Sequence, residues 1–262
     1  MLPSHSTNIA SERRRLTIEL EHNAMTTNTA AGHLHLAHHF DDVDQQYTSA
    51  ELGMWLFLAT EILFFGGVFC GYAVYRYWYH DAFTLGSHQL DYWLGTLNTA
   101  VLLTSSLTMA LAVRAAQTND QRGTVQNLVW TLLLGSVFLG IKVVEYRHKF
   151  EHHLVPGPNF SLEHLHDPAA DRQDTSAPHS ATGHLPPQAA NVQLFFSFYF
   201  VMTGLHALHM VIGVAVLATL IVAASRGAFS AEYFTPVEMS GLYWHFVDIV
   251  WVFLFPLLYL IR

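Results

Sequence analysis

Five long apolar runs, separated by polar segments, organise this chain. They cover about Leu52 to Tyr77, Trp93 to Ala115, Val125 to Tyr146, Val192 to Ala224 and Val237 to Ile261. A run of about 18 or more apolar residues is long enough to cross the hydrocarbon core of a bilayer as a helix. Lipid offers the backbone no hydrogen-bond partner, so such spans close their bonds within a helix unless they form a barrel. The alternating pattern of barrel strands is missing here, and the prediction is an all-α membrane protein, a bundle of five transmembrane helices. Tyr75, Tyr77, Trp78 and Tyr79 crowd the end of the first run, where amphipathic rings sit at headgroup level. Residues 1–50 read as a polar, His-containing tail and 51–262 as the membrane domain. The connections 78–92, 116–124 and 225–236 are short. A fourth, 147–191, is long, rich in Pro, His, Asp and Ser, and is expected outside the membrane.

Composition agrees with that pattern. Of 262 residues 52% are apolar and 12% charged, against about 25% charged in soluble domains. A net charge of −8 with only 12 Lys and Arg leaves no basic patch for nucleic acid. The single cysteine, Cys70, excludes an intrachain disulfide and multi-thiolate metal sites, and reads as a packing residue. No cleavable leader is evident, since the first apolar run is too long and too late. Met25 opens a different, His-rich stretch and is read as the true start. Basic residues do not orient the chain: with a cytoplasmic N-terminus, six Lys and Arg fall inside and five outside.

Small residues predict close helix packing: Gly67 with Gly71, Gly135 with Gly140, and Gly204 with Gly213. Thr104, Ser105, Ser106 and Thr108 are expected to bond their own helix backbone. Ionisable groups inside spans are costly and point to function. Glu61 lies roughly 14 Å into the first run, and His245 and Asp248 roughly 12 and 16 Å into the fifth, at 1.5 Å per residue. His206 and His209 share one face near the middle of the fourth. All five fall near the bilayer midplane and are expected to form a buried polar network. Lys142 and Glu145, three residues apart, predict a second, local ion pair. The network has alternative readings: mutual satisfaction that fixes helix register, proton handling by a Glu61 carboxyl held in a low-dielectric site, or contact with lipid headgroups. Two of the three midspan histidines share one turn, which does not supply separate haem and copper ligand sets. His33, His35, His38 and His39, with His152, His153, His164 and His166, read as solvated polar segments, the alternative being adventitious metal binding.

Several ordered motifs together resemble one family. GMWLFLATEILFFGGVFCGY, with Glu61, resembles the first core helix of cytochrome c oxidase subunit III, and LNTAVLLTSSLTMALA resembles the helix after it. Glu145 and Tyr146 match the end of the next. FVMTGLHALHMVIG carries His206 and His209, and GLYWHFVDIVWVFLFPLLYLI carries Trp244, His245 and Asp248. The resemblance extends from about Leu52 to Ile261. It implies an accessory subunit of a proton-pumping oxygen reductase in a bacterial plasma membrane, with no redox centre of its own. Haem and copper would lie in partner subunits, with subunit I the main contact and subunit II the other. It further implies bound phospholipid, support of proton uptake and a cytoplasmic N-terminus. Two N-terminal helices of the seven-helix form are absent, as in short bacterial members, and 147–191 exceeds the usual connection. An accessory subunit of a nitric oxide reductase and an independent proton-coupled transporter are the alternatives. The second lacks the inverted repeats and broken helices typical of such carriers.

Overall fold

The structure, a computed structural model, describes residues 40–151, 155–156 and 187–261. The His-rich segments and most of 147–191, together with Met25, lie outside the described residues. Six helices follow in order: α1 Val43–Trp78, α2 His80–His88, α3 Tyr92–Gln117, α4 Gln121–Glu151, α5 Pro187–Ser225 and α6 Thr235–Tyr259. All but α2 are long and apolar enough to cross a membrane, α5 counted from Asn191. The chain divides after Gly53 into two units. In the first, the Asp42 carboxylate accepts from the Gln45 backbone N–H at 2.6 Å and starts α1. The second unit runs from Met54 to the end of the chain.

α1, α4 and α5 outrun their apolar stretches by several residues, into the polar segments that flank them. Asp91 caps α3, its Oδ1 accepting from the backbone N–H groups of Trp93 and Leu94 at 3.0 and 3.2 Å. Asp120 does the same for α4 by accepting from Gly123 N–H at 3.0 Å. Asn119, at φ 59°, turns the chain between these two helices. Gln121 donates from Nε2 to the Ala224 carbonyl at 2.9 Å and so anchors the end of α5 to the start of α4.

α3 packs against α4 and α6, α4 against α5, and α5 against α6, while α2 packs on α5. α6 is the central helix: 44% of its apolar window is buried, against 11% for α1. α1 joins the bundle mainly through side chains such as Phe65, Tyr72 and Phe57.

The connection 78–92 is therefore not plain loop. α2 turns Phe83, Gly86 and Ser87 inward. A Cβ on Gly86 would stand 2.3 Å from the Phe195 ring, so only glycine lets α2 lie this close to α5. Docking also completes α6. A helix leaves its last four carbonyls without internal partners. Here the Ser87 hydroxyl donates to the Leu258 carbonyl at 2.8 Å, and Tyr72 donates to that of Leu257 at 2.5 Å.

The glycine pairs separate. Gly135 and Gly213 make room for the Trp244 ring, whose atoms come within 2.7 and 2.9 Å of the Cβ each would carry. Gly67 and Gly140 face open space, and Gly71 only touches Phe198 at 3.7 Å. The expected close approach at Gly67 and Gly71 is absent, because bulky rings hold α1 off the bundle.

Candidate functional site

Glu61 on α1 meets His209 on α5, with Oε2 3.2 Å from Nε2. The other ring nitrogen, Nδ1, lies 2.8 Å from the Leu205 carbonyl one turn earlier. A carbonyl only accepts, so Nδ1 carries a proton and donates. Nε2 then either accepts from a carboxylic acid or donates to a carboxylate as part of an imidazolium. Each arrangement places one proton between the two side chains. The pair sits against the Phe65 ring, 5.3 Å from the imidazole, and Tyr243 donates to the His209 carbonyl at 2.9 Å. Its side chains keep 19% and 13% exposure, so it lies at the edge of the bundle rather than inside it.

The remaining three members of the expected network take other surroundings. His245 Nδ1 lies 2.6 Å from the Ser106 hydroxyl on α3. Ser106 also lies beside Asp248, yet both Asp248 carboxyl oxygens are buried without a hydrogen bond. His206 is 1% exposed, and neither ring nitrogen has a partner. Its ring stands 5.4 Å from that of Phe138 and 5.2 Å from that of Trp251. The structure thus brings Glu61 and His209 into contact and does not join His206, His245 or Asp248 to them by direct hydrogen bonds. A buried polar group left unpaired costs about 1–3 kcal/mol, so His206 and Asp248 require explanation.

The serines of α3 also depart from expectation. Thr104 donates to the Ala100 carbonyl at 2.9 Å and Thr108 to that of Ser105 at 2.8 Å, both within the helix. Ser105 instead donates to the Thr131 carbonyl of α4 at 3.3 Å and accepts from Trp244 Nε1 at 3.1 Å. Trp251 donates likewise to Thr99 at 3.1 Å. Two tryptophans of α6 are thereby fastened to α3, one on each side of Asp248.

A second cluster lies deeper. Lys142 Nζ donates to Glu145 Oε2 at 2.8 Å and to the Tyr259 hydroxyl at 2.8 Å. It also sits over the Trp251 ring, 4.4 Å from the centroid. Glu145 Oε1 accepts from Tyr259 at 2.5 Å and from Tyr199 at 2.9 Å. Lys142 and Glu145 are 4% and 5% exposed, so the whole cluster is buried with its charges matched and its donors used. Further along α4, Lys149 donates to the Gln89 carbonyl at the end of α2. Tyr199 on α5, and Trp251 and Tyr259 on α6, do not emerge from sequence spacing, since they lie on other helices than Lys142 and Glu145; Lys149, four residues after Glu145 on α4, could have been read from it. The available signal is that a buried Tyr hydroxyl or Trp N–H requires a partner.

Among the described residues, no three His, Cys, Asp or Glu side chains converge as metal ligands would.

Residues 33–151 and 188–261 match the family profile described as cytochrome c oxidase subunit III. The two blocks contain Glu61, Lys142 and Glu145, and His206, His209, His245 and Asp248. Cytochrome c oxidase subunit 3 of Thermostichus vulcanus is 30% identical over 212 residues, 80% of this chain and 86% of the relative. Quinol oxidase subunit 3 of Bacillus subtilis is 28% identical over 209 residues, 80% and 85% of the two chains. Cytochrome bo(3) ubiquinol oxidase subunit 3 of Pseudomonas aeruginosa is 29% identical over 242 residues, 89% and 98%. With both blocks matched and five apolar helices in place, the chain belongs to the cytochrome c oxidase subunit III family.

Proposed function

We propose that the chain is the non-catalytic subunit III of a haem–copper terminal oxidase in a bacterial membrane, packed against the oxidase's subunit I with subunit II in the same complex. The observation that carries this reading is the family match across nearly all the membrane helices. Relatives are named for both cytochrome c and quinol oxidases. The electron donor is therefore a property of the partner subunits, where haem, copper and oxygen reduction reside. The N-terminus is assigned to the cytoplasmic side and phospholipid to the lipid-facing surface, both on the family resemblance.

Within the complex, the Glu61–His209 contact is the element assigned to proton uptake. It holds one proton between two titratable groups, stands at midspan, and keeps enough exposure to exchange with surrounding subunits. The test is to purify the tagged full chain in mild detergent from its native membrane, then record a haem spectrum and identify the co-purifying chains. A stoichiometric oxygen-reducing subunit I with its haem signature is expected. A nitric oxide reductase catalytic subunit in its place, or a chain that purifies alone and transports a solute after reconstitution, would overturn the assignment.

A further inference from the structure

We propose that the bundle binds internal water at His206, between the Glu61–His209 pair and the Lys142–Glu145–Tyr199–Tyr259 cluster. A neutral imidazole always presents one donor and one acceptor. Among the described residues no protein group reaches either nitrogen of His206, although the ring is 1% exposed. Of the two rings packed beside it, Phe138 has no hydrogen-bonding group and Trp251 gives its N–H to Thr99. Buried water typically makes about three hydrogen bonds to groups of this kind and is retained as part of the fold.

Position gives that water its significance. His206 lies one turn from His209 on α5, on the side toward the α4–α5 connection. Its neighbour Trp251 is also the ring under the Lys142 ammonium, 4.4 Å from the centroid. His206 therefore stands between two hydrogen-bonded clusters that no protein bond connects directly. Beyond the second cluster Lys149 reaches the Gln89 carbonyl, so polar groups continue to the end of the bundle that carries α2. The side chains of Asn98 and Asp248 add further buried polar atoms without a protein partner. The site itself rests on the geometry of His206, while its use in proton movement rests on the reading of Glu61 and His209 given above.

The test uses the intact oxidase. A map resolving ordered water should show density about 2.7–3.2 Å from a His206 ring nitrogen. A direct bond from His206 to a protein group, or no density beside either nitrogen, overturns the proposal. Infrared bands of internal water that move on exchange into H₂¹⁸O should be lost in part in His206→Phe, which keeps a ring between Phe138 and Trp251. His206→Gln, which keeps a donor and an acceptor, should retain them. Bands unchanged in His206→Phe, or lost equally in both variants, overturn it. If His206→Phe does not assemble, the wild-type map and the bands of His206→Gln still decide. Glu61→Gln separates the two claims, because it should leave the His206 water in place whatever it does to proton uptake.

Discussion

The Lys142–Glu145 cluster and the Glu61–His209 pair are both acid–base contacts inside one membrane bundle, yet they are built differently. In the first, one ammonium, one carboxylate and two phenols exchange four hydrogen bonds, and the ammonium also rests over the Trp251 ring. In the second, two side chains share a single contact at 3.2 Å on a loosely packed helix. A saturated buried cluster resists change, since losing any member exposes the rest to low dielectric. A sparse pair at the bundle edge can change its proton without undoing the fold. On the function proposed above, the same residue chemistry serves architecture in one place and exchange in the other.

The largest predicted effect tests the first half of that contrast. Lys142→Leu leaves the Glu145 carboxylate buried without its cation, a loss of about 3–5 kcal/mol. The subunit should be missing from the purified complex, as a subunit-resolved gel would show. Lys142→Met combined with Glu145→Gln should recover much of the yield, because no lone charge remains. Tyr259→Phe removes one donor and one acceptor from the same cluster, about 1–3 kcal/mol. It should lower the thermal midpoint of subunit dissociation rather than abolish assembly. Gly135→Ala places a Cβ 2.7 Å from the Trp244 ring. Overpacking of that kind costs about 1–3 kcal/mol and should lower the same midpoint, whereas Gly67→Ala, facing open space, should not. The smallest structural effect belongs to the second region: Glu61→Gln should assemble at wild-type yield, since Gln still bonds to His209 Nε2.

The sequence makes the two regions legible to different degrees. Five apolar runs are enough to find the spanning helices, since hydrocarbon thickness sets their length. α2 escapes that logic: its nine residues are fixed by Phe83, Gly86 and Ser87 docking on α5 and α6, contacts with no local signature. Lys142 with Glu145 is readable because a three-residue spacing closes within one helix. The partners Tyr199 and Tyr259 are not, because a tyrosine in an apolar run reads equally as an interfacial ring. Equal depth groups five residues, of which Glu61 and His209 meet. His206 and Asp248 make no hydrogen bond to them, because depth is only one coordinate. Residues three apart on a helix differ by roughly 60° around its axis, enough to aim His206 at Phe138 and Trp251 while His209 faces α1. Asp248 and His245 both lie beside Ser106 on α3 instead. Rotation of each helix is set by how large rings pack, and no spacing rule in a single chain records it.

Sustained proton uptake by the intact oxidase carrying Glu61→Gln bears most directly on the claim that the sparse pair, and not the saturated cluster, handles protons. With subunit yield and haem content at wild-type levels, uptake and turnover should decline relative to wild type over repeated cycles. Uptake and turnover equal to wild type would contradict the account and leave Glu61 a purely structural partner of His209.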